Sequence, residues 1–302
     1  MPELPEVHTT VEGINKFTKG LAIKDVWSNY NSPFHLGKNN IKDQKYFDQF
    51  ARLVIGAKIL GAKRRAKNIL ISLSNHHTIL IHMKMTGHIL YGEYVFKGEE
   101  WLPAKEGPLK DPFNRFVRLV FALSNKKYLV LSDMRRFAKV CTFPTPDLDT
   151  YPELQDIGPE PLEKNFDFKK FKEMLRKRPS WKIKQALMDQ SMIAGIGNIY
   201  SDEMLWLSGI HPESRVTKIP DITLKKLFPA MKEVLKKGID FGGDSMSDYR
   251  NILGERGRFQ HAHNAYRLTG TKCKMKNCKG IIKRLKVGGR SAHFCNVHQK
   301  KF

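Results

Sequence analysis

The segment NILISLSNHHTILIH, residues 68–82, decides the class of the N-terminal half of this 302-residue chain. It contains two β-rich runs, 68–74 and 78–82, separated by a Ser-Asn turn signal, which is the pattern of adjacent strands. Further strands are predicted at 21–27, 53–60, 116–123, 128–132 and 137–143. Seven strands after a single helix favour a two-sheet sandwich or a partly open barrel over a βαβ arrangement.

Helices are predicted on both sides of these strands. Residues 2–18 place Val7, Val11 and Ile14 at helical spacing, which indicates an amphipathic helix. Five prolines fall within residues 144–161, a composition typical of an interdomain linker. Beyond this segment, the apolar residues recur at the spacing of a helix. The chain is therefore predicted to be an α+β multidomain protein. Its predicted segments are a β-rich domain at 1–143, a linker at 144–165, a helical domain at 166–266 and a cysteine-containing end at 267–302.

The charge of the chain favours a polyanionic partner. It has 53 Lys and Arg against 30 Asp and Glu, a net charge of +23, and residues 256–302 contain thirteen basic and no acidic side chains. Nucleic acid is the leading partner for such a surface. The sequence has no apolar run long enough to cross a membrane and no secretory signal pattern, so a soluble, intracellular protein of the cytoplasm or nucleus is expected.

The C-terminal end has the spacing of a metal site. Cys273, Cys278, Cys295 and His298 form C-x4-C and C-x2-H pairs, which predict two knuckles closing one tetrahedral structural zinc site. A hairpin with incidental cysteines is the alternative. Between the knuckles, residues 286–290 (KVGGR) predict a hairpin tip with Arg290 at its end. That arginine either enters a groove and clamps a phosphate or is a solvated turn residue.

The first residues of the chain include groups that could take part in catalysis. Removal of Met1 would leave Pro2 with a free secondary amine, a nucleophile whose pKa lies nearer neutrality than that of a lysine. Glu3, the next residue, can move protons beside it. The alternative is that these are ordinary helix-start residues, since Pro and Glu both suit a first turn.

Several motifs, in order along nearly the whole chain, resemble the formamidopyrimidine-DNA glycosylase / endonuclease VIII family of base-excision repair enzymes. The motifs are PELPEV at 2–7, RRAK at 64–67, HMKMTG at 82–87, DMRRF at 133–137, IGPEPL at 157–162, LMDQ at 187–190, GIGNIY at 195–200 and the finger end from Gly289 to Gln299. The resemblance implies an N-terminal helix with a catalytic β-sandwich domain, a helix-two-turns-helix DNA-binding domain and a β-hairpin zinc finger.

The resemblance also implies an activity and its residues. The expected enzyme is a DNA glycosylase and AP lyase that acts through a Schiff base on Pro2, needs no catalytic cofactor and binds damaged DNA as a monomer. The implied catalytic residues are Pro2, Glu3, Lys67 and Arg290. DNA contacts are assigned to Lys184, Asn198, Arg136 and Glu6, although Glu6 is expected mainly to bond backbone N–H groups at the helix terminus. Met85, Arg135 and Phe137 are expected to fill the gap left by a flipped nucleotide.

Three questions stay open at this level. The x4 spacing and the histidine depart from the family's usual C-x2-C pairs, so the zinc geometry is unsettled. The lesion range is open between oxidised purines and oxidised pyrimidines or ring-opened products, on double-stranded or single-stranded DNA. A non-catalytic zinc-finger damage sensor, or a structural RNA-binding protein, would share the same charge.

Overall fold

The computed structural model describes all residues from Met1 to Phe302, with seven α-helices and twelve β-strands. The helices are α1 (Leu4–Thr18), α2 (Gln44–Val54), α3 (Pro152–Gln155), α4 (Phe168–Arg176), α5 (Ile183–Met188), α6 (Asn198–Ser208) and α7 (Asp221–Asp240). The first five strands are β1 (Ile23–Ser28), β2 (Ile59–Arg65), β3 (Asn68–Leu73), β4 (His77–His82) and β5 (His88–Gly92). The remaining strands are β6 (Tyr94–Lys97), β7 (Glu100–Pro103), β8 (Val117–Leu123), β9 (Tyr128–Ser132), β10 (Lys139–Pro144), β11 (Ile282–Val287) and β12 (Arg290–Cys295).

The first of two compact units contains residues 1–155 together with residues 241–258. It has two four-stranded sheets, with strand orders β1-β8-β9-β5 and β10-β4-β3-β2, and every pairing within them is antiparallel. Ile69, Ile81, Phe121 and Leu131 are among the buried residues of the core that both sheets share. The predicted α+β class with an N-terminal two-sheet β-sandwich is therefore confirmed.

The prediction at 53–60 was wrong in its position, and a helix was missed. Residues 44–54 form α2, and the strand that follows begins only at Ile59. Asp43 caps α2, because its carboxylate accepts a hydrogen bond from the Tyr46 N–H at 2.7 Å. The sequence reading also missed β5 and the small β6–β7 hairpin. The predicted hairpin at 68–82 is present as β3 and β4, paired from Asn68 with His82 to Ser72 with Thr78.

The segment 241–258 packs with the first unit although the sequence groups it with the helical domain. The Asp244 N–H donates to Glu6 Oε1 at 2.8 Å, and the Tyr249 hydroxyl lies 3.2 Å from the Glu6 carbonyl oxygen. Farther along, the buried Arg250 guanidinium pairs with Asp111 at 3.0 Å. These contacts attach the segment to α1 and to the loop before β8. The four predicted domain boundaries themselves stay a prediction.

The second unit contains residues 156–240 and 259–302. It comprises helices α4 to α7 and the β11–β12 hairpin at the C-terminus. The α6 helix packs on α7 and on β12, so one buried helix supports both the helical part and the hairpin. None of the helices in the chain combines the length and apolarity that a membrane crossing needs.

Gly243 gives a direct test of the contact between residues 241–258 and α1. Its φ is +86°, and a Cβ placed there would lie 2.8 Å from Glu6 Cγ, whereas Gly242 has φ +70° and open space around it out to 4.0 Å. We expect Gly243→Ala to lower the thermal midpoint more than Gly242→Ala, because only the first substitution adds a steric clash to the backbone strain. Equal midpoints for the two variants, measured by calorimetry, would contradict this close approach.

Candidate functional site

The start of α1 is built around two glutamates. The backbone N–H of Glu3 donates to Glu6 Oε2 at 2.7 Å, and the Glu3 carboxylate accepts from the backbone N–H of Glu6, which closes a capping box. Pro2 and Glu3 are both buried. Because the other Glu6 oxygen accepts the Asp244 N–H, the Glu6 carboxylate is used entirely inside the protein. This agrees with the helix-terminus role expected for Glu6 rather than with a DNA contact.

The N-terminal amine lies in a pocket of mixed charge. Burial lowers the pKa of the Met1 amine from its usual value of 8.0, while the carboxylates of Glu3, Glu6 and Asp248 act to raise that pKa and Lys67 acts to lower it. The amine is buried even though Met1 as a whole is 38 % exposed. An amine held here is more often unprotonated, and therefore nucleophilic, than a solvent-exposed one.

Lys67 reaches this pocket from the turn between β2 and β3. Arg65 and Asn68 are directly paired, which leaves Ala66 and Lys67 as a two-residue turn, with Ala66 at φ +52°. Only 8 % of Lys67 is exposed. The structure thus brings together Pro2, Glu3 and Lys67, three of the four residues assigned to catalysis.

Two turns of the first unit carry the residues expected to fill the gap. Met85, in the turn after β4, is half-buried, whereas Arg135 and Phe137, in the turn before β10, are exposed. Phe137 is 48 % exposed, and the Arg135 guanidinium lies 4.5 Å from the centroid of its ring. An exposed apolar ring with a stacked cation is suited to meeting bases, which have both π faces and hydrogen-bonding edges.

A buried aspartate joins these two turns, and sequence reasoning gave it no role. Asp133 is fully buried, accepts from the Ala138 N–H at 2.8 Å and from the Tyr30 hydroxyl at 2.5 Å, and is also bonded by the Thr86 hydroxyl. The Thr86 oxygen in turn accepts the Arg135 N–H at 3.0 Å. Thr86 and Arg135 flank the two turns, so Asp133 sets their spacing. The only sequence signal for this role is the position of Asp133 at the head of the DMRRF motif.

Arg136 holds the second turn from its other side. Its φ is +57°, its guanidinium donates to the Asn29 carbonyl, and its own carbonyl oxygen accepts from Lys42 Nζ at 2.7 Å. The side chain is exposed, so its remaining N–H groups face solvent. Arg136 therefore combines a turn-stabilising role with an open guanidinium.

In the second unit, Asn198 is the first residue of α6. Gly197 is the residue before the helix, and Gly195 has φ +83°, a conformation that favours glycine. The backbone therefore turns tightly into the helix start, where N–H groups point outward and an anion is favoured. Asn198 lies at the position where a phosphate contact is expected.

Lys184 lies elsewhere than the predicted DNA contact requires. Its ammonium is fully buried, 2.5 Å from Asp202 Oδ1, 3.1 Å from Ser201 Oγ and 3.3 Å from the Asn198 carbonyl oxygen. The second Asp202 oxygen accepts the His293 N–H at 2.9 Å and lies 2.8 Å from His293 Nδ1. A buried ammonium needs such compensation and is not available to a phosphate. The physical role of Lys184 is to join α5, α6 and β12.

Arg290 occupies the tip of the β11–β12 hairpin, as predicted. Val287 pairs with Arg290, so Gly288 and Gly289 form the turn, with φ +53° and φ +78°. The Arg290 side chain is exposed. A Cβ on Gly288 would lie 2.6 Å from Gln185 Nε2, so the tip approaches α5 closely.

The four predicted metal ligands converge. The ligand atoms of Cys273, Cys278, Cys295 and His298 all lie within 4.8 Å of one another, with 3.6 Å between the Sγ atoms of Cys278 and Cys295. Zinc–sulfur bonds of about 2.3 Å in a tetrahedron separate two sulfurs by about 3.8 Å, so the spacing fits. The His298 Nε2 lies 2.9 Å from the Trp206 carbonyl. A carbonyl only accepts hydrogen bonds, so Nε2 carries the proton and Nδ1 is left to face the thiols.

Two family models match the chain. The formamidopyrimidine-DNA glycosylase N-terminal domain matches residues 1–140, and the formamidopyrimidine-DNA glycosylase H2TH domain matches residues 157–250. A formamidopyrimidine-DNA glycosylase of Desulforamulus reducens is 34% identical over 306 residues, which cover 99% of both chains.

Solved structures match over the same length. The Lactococcus lactis Fpg, in complex with DNA that contains an abasic site, aligns with a TM-score of 0.82 and 31% identity, over 99% of this chain and 100% of that one. A MutM in complex with DNA that contains carbocyclic 8-oxo-G aligns with a TM-score of 0.81 and 31% identity, over the same shares of the two chains. The fold is therefore shared along its whole length.

The Asp133 network predicts that a variant within it will lose both stability and DNA affinity, whereas a matched variant outside it will lose stability alone. Thr86→Val removes the hydroxyl that bonds Asp133 and Arg135, which costs about 1–3 kcal/mol of stability and loosens both turns. The matched control is Thr78→Val, because the Thr78 hydroxyl bonds the Thr145 hydroxyl at 2.9 Å at the opposite end of β4 from the Thr86 turn. We expect both variants to lower the thermal midpoint, and only Thr86→Val to weaken binding to abasic-site DNA by about tenfold. Equal affinities in the two variants would sink the positioning role, and Thr86→Ser should restore it.

Proposed function

The chain belongs to the formamidopyrimidine-DNA glycosylase family, and we propose that it is a bifunctional enzyme that excises oxidised bases from DNA and then cleaves the strand as an AP lyase. The observation that carries the proposal is the buried N-terminus, where the amine of Met1, the residue before Pro2, is close enough to Glu3 and Lys67 for their charges to act on its pKa. A DNA-binding protein without chemistry has no need of a desolvated amine between carboxylates.

The proposed reaction starts once Met1 has been removed. The Pro2 nitrogen bonds to the anomeric carbon of the damaged nucleotide, the glycosidic bond breaks, and the base leaves with the electrons of that bond and takes up the proton that the Pro2 nitrogen loses. Glu3 donates a proton to the sugar ring oxygen as the ring opens, which leaves an iminium between Pro2 and the sugar. The iminium accepts the electron pair released when the neighbouring carbon loses a proton, and the 3′ phosphate departs. A second elimination releases the 5′ phosphate.

Phosphate contacts are assigned to four residues on the surface or at the pocket. In the first unit these are Lys67, at the two-residue turn beside the amine, and the exposed Arg136. In the second unit these are Asn198, at the N-terminus of α6, and Arg290, at the tip of the finger. Arginine and a helix N-terminus are the groups that best complement a phosphate.

Base flipping is assigned to the two turns that Asp133 joins. Met85 and Phe137 would enter the gap and Arg135 would face the orphaned base, since these are a flexible thioether, a ring and a hydrogen-bonding cation. We propose oxidised and ring-opened purines as the preferred substrates. The name of the matching family models and the 8-oxo-G in the DNA bound to the MutM neighbour support this choice over oxidised pyrimidines.

We assign one structural Zn²⁺ to Cys273, Cys278, Cys295 and His298. The spacing of their ligand atoms and the orientation of His298 against Trp206 support this assignment. The ion would fold the finger that carries Arg290 and would take no part in bond breaking, because all four positions of a tetrahedral ion are filled by protein ligands.

Borohydride trapping tests the proposed chemistry. On duplexes with an abasic site, 8-oxoguanine or an oxidised pyrimidine, we expect the Met1-processed protein to form a reduced adduct at Pro2. Protein that retains Met1 and the Pro2→Gly variant should trap poorly. Glu3→Gln should slow excision by about 10²- to 10⁴-fold, while Glu12→Gln, an exposed residue of the same helix, should not.

Three other outcomes of these experiments would each change the proposed function. Binding to damaged duplex without any adduct would promote the non-catalytic sensor over the lyase. Equal affinity for RNA and for undamaged duplex would favour the RNA-binding alternative. Comparable adduct yields on the oxidised pyrimidine and the 8-oxoguanine duplex would broaden the proposed lesion range.

Metal content tests the finger. We expect one zinc per chain by mass spectrometry, and His298→Ala should weaken zinc binding by about tenfold or more, because it removes one of four ligands. His261→Ala is the matched control, since His261 is exposed and outside the cluster. Full zinc retention by His298→Ala in a competition with a chelator would show that His298 is not a ligand.

A further inference from the structure

The most exposed large apolar side chains of the protein lie together on one loop. Phe34 is 84 % exposed and Leu36 is 73 % exposed, and they belong to residues 31–40, the apolar loop. Exposing single apolar residues is ordinary, but two large ones this exposed within three residues of one loop indicate a contact surface.

Both ends of the apolar loop are bonded to the turn that carries Arg135 and Phe137. Before the loop, the Tyr30 hydroxyl binds Asp133, and the Asn29 carbonyl accepts from the Arg136 guanidinium. The end of the loop is fixed in the same way. There, the Ile41 N–H donates to the Val140 carbonyl at 3.1 Å, and Lys42 Nζ donates to the Arg136 carbonyl at 2.7 Å. The loop therefore projects from the same surface as Phe137.

The loop itself is ordered by its own hydrogen bonds. The Ser32 N–H donates to the Lys42 carbonyl at 2.9 Å, and the Gly37 N–H donates to Asp43 Oδ2 at 2.9 Å. Residues 33–35 form one turn of 3₁₀ helix. Phe34 and Leu36 are thus presented on a supported backbone, which reduces the entropy lost when they bind a partner.

The charged residues of the apolar loop indicate which kind of partner it contacts. The apolar loop contains Lys38 and His35 and no Asp or Glu. Another group of exposed apolar side chains in this unit, which includes Phe96 at 53 % and Leu102 at 41 %, lies on the β6–β7 hairpin next to Glu99 and Glu100, and Phe96 packs on Trp101. An apolar tip with a lysine and no carboxylate in its own loop suits DNA, where side chains of this kind pack against unstacked bases and sugars.

We propose that the apolar loop is a second DNA-contacting element, in which Phe34 and Leu36 pack against the nucleotides beside the gap that Met85, Arg135 and Phe137 fill. The two contacts act together, because the bonds from Arg136 and Asp133 couple the loop to the gap-filling turn. This inference rests on the proposed function for the position of the gap, but not for the chemistry at Pro2.

The test compares two matched double variants of the full-length protein. Phe34→Ser with Leu36→Ser removes the loop contact, and Phe96→Ser with Leu102→Ser removes an exposed pair of the same composition elsewhere. Affinity is measured by fluorescence anisotropy on a duplex with a tetrahydrofuran abasic analogue. We expect the loop variant to bind about tenfold more weakly, the order expected when a base loses an aromatic contact, and the hairpin variant to bind within twofold of wild type.

Salt dependence identifies the kind of contact that is lost. The slope of log Kd against log salt should be unchanged in the loop variant, because no phosphate contact is removed. A slope lowered by about 1 or more would overturn the apolar assignment. Wild-type affinity in the loop variant, or an equal loss in the hairpin variant, would overturn the proposal as a whole.

The loop proposal and the proposed chemistry can fail separately. In one outcome, the loop variant binds the duplex more weakly than wild type, but wild-type protein forms no borohydride adduct on a natural abasic site. That outcome would refute the lyase proposal and support the loop contact. Wild-type protein that forms the adduct, together with a loop variant of unchanged affinity, would support the lyase and overturn the loop contact.

Discussion

The Glu6 carboxylate is the constraint on which the N-terminal site depends. It is 1 % exposed, and its two oxygens accept the N–H groups of Glu3 and Asp244. Hydrogen bonds to a charged acceptor are worth about 1.5–3 kcal/mol each, so together they fix α1 against residues 241–258. Pro2 is buried and directly precedes Glu3, so it is held next to that attachment. A chain terminus, ordinarily the most mobile part of a protein, is thereby held in a defined place.

Buried charged residues likewise fix the other segments that carry candidate site residues. Asp133 fixes the two turns expected to enter DNA, and the Lys184–Asp202–His293 cluster fixes the helix that begins at Asn198. Neither group is exposed, so each acts through the residues it positions. Removing one partner from such a cluster leaves an uncompensated charge, which costs several times more than the loss of a surface ion pair. These buried groups therefore determine where the exposed residues of the two turns and the start of α6 lie.

The sequence predicts those features of the fold that depend on local sequence patterns. The β3–β4 hairpin, the helix at the N-terminus, the finger tip at Arg290 and the four converging metal ligands all follow from periodicity, turn residues or spacing. The features it misses depend on contacts between distant segments. A basic residue in a DNA-binding protein reads as a phosphate contact, and nothing local to Lys184 indicates that Asp202 will bury it. Asp133 likewise has no pattern of its own. The α2 helix is the exception, because the capping residue Asp43 and the helical spacing of Phe50 and Val54 are local signals that the strand prediction at 53–60 overlooked.

The histidine in the finger has a structural consequence beyond replacing a thiolate. A cysteine side chain ends at its sulfur, whereas the Nε2 of His298 donates to the Trp206 carbonyl on α6. His293, on β12, reaches the same helix through Asp202. Two separate hydrogen bonds from the finger thus end on α6, whose first residue is Asn198. The positions of Asn198 and Arg290 are therefore fixed relative to each other by polar contacts, and His298 ties the finger to α6 through a hydrogen bond that a cysteine at this position could not make.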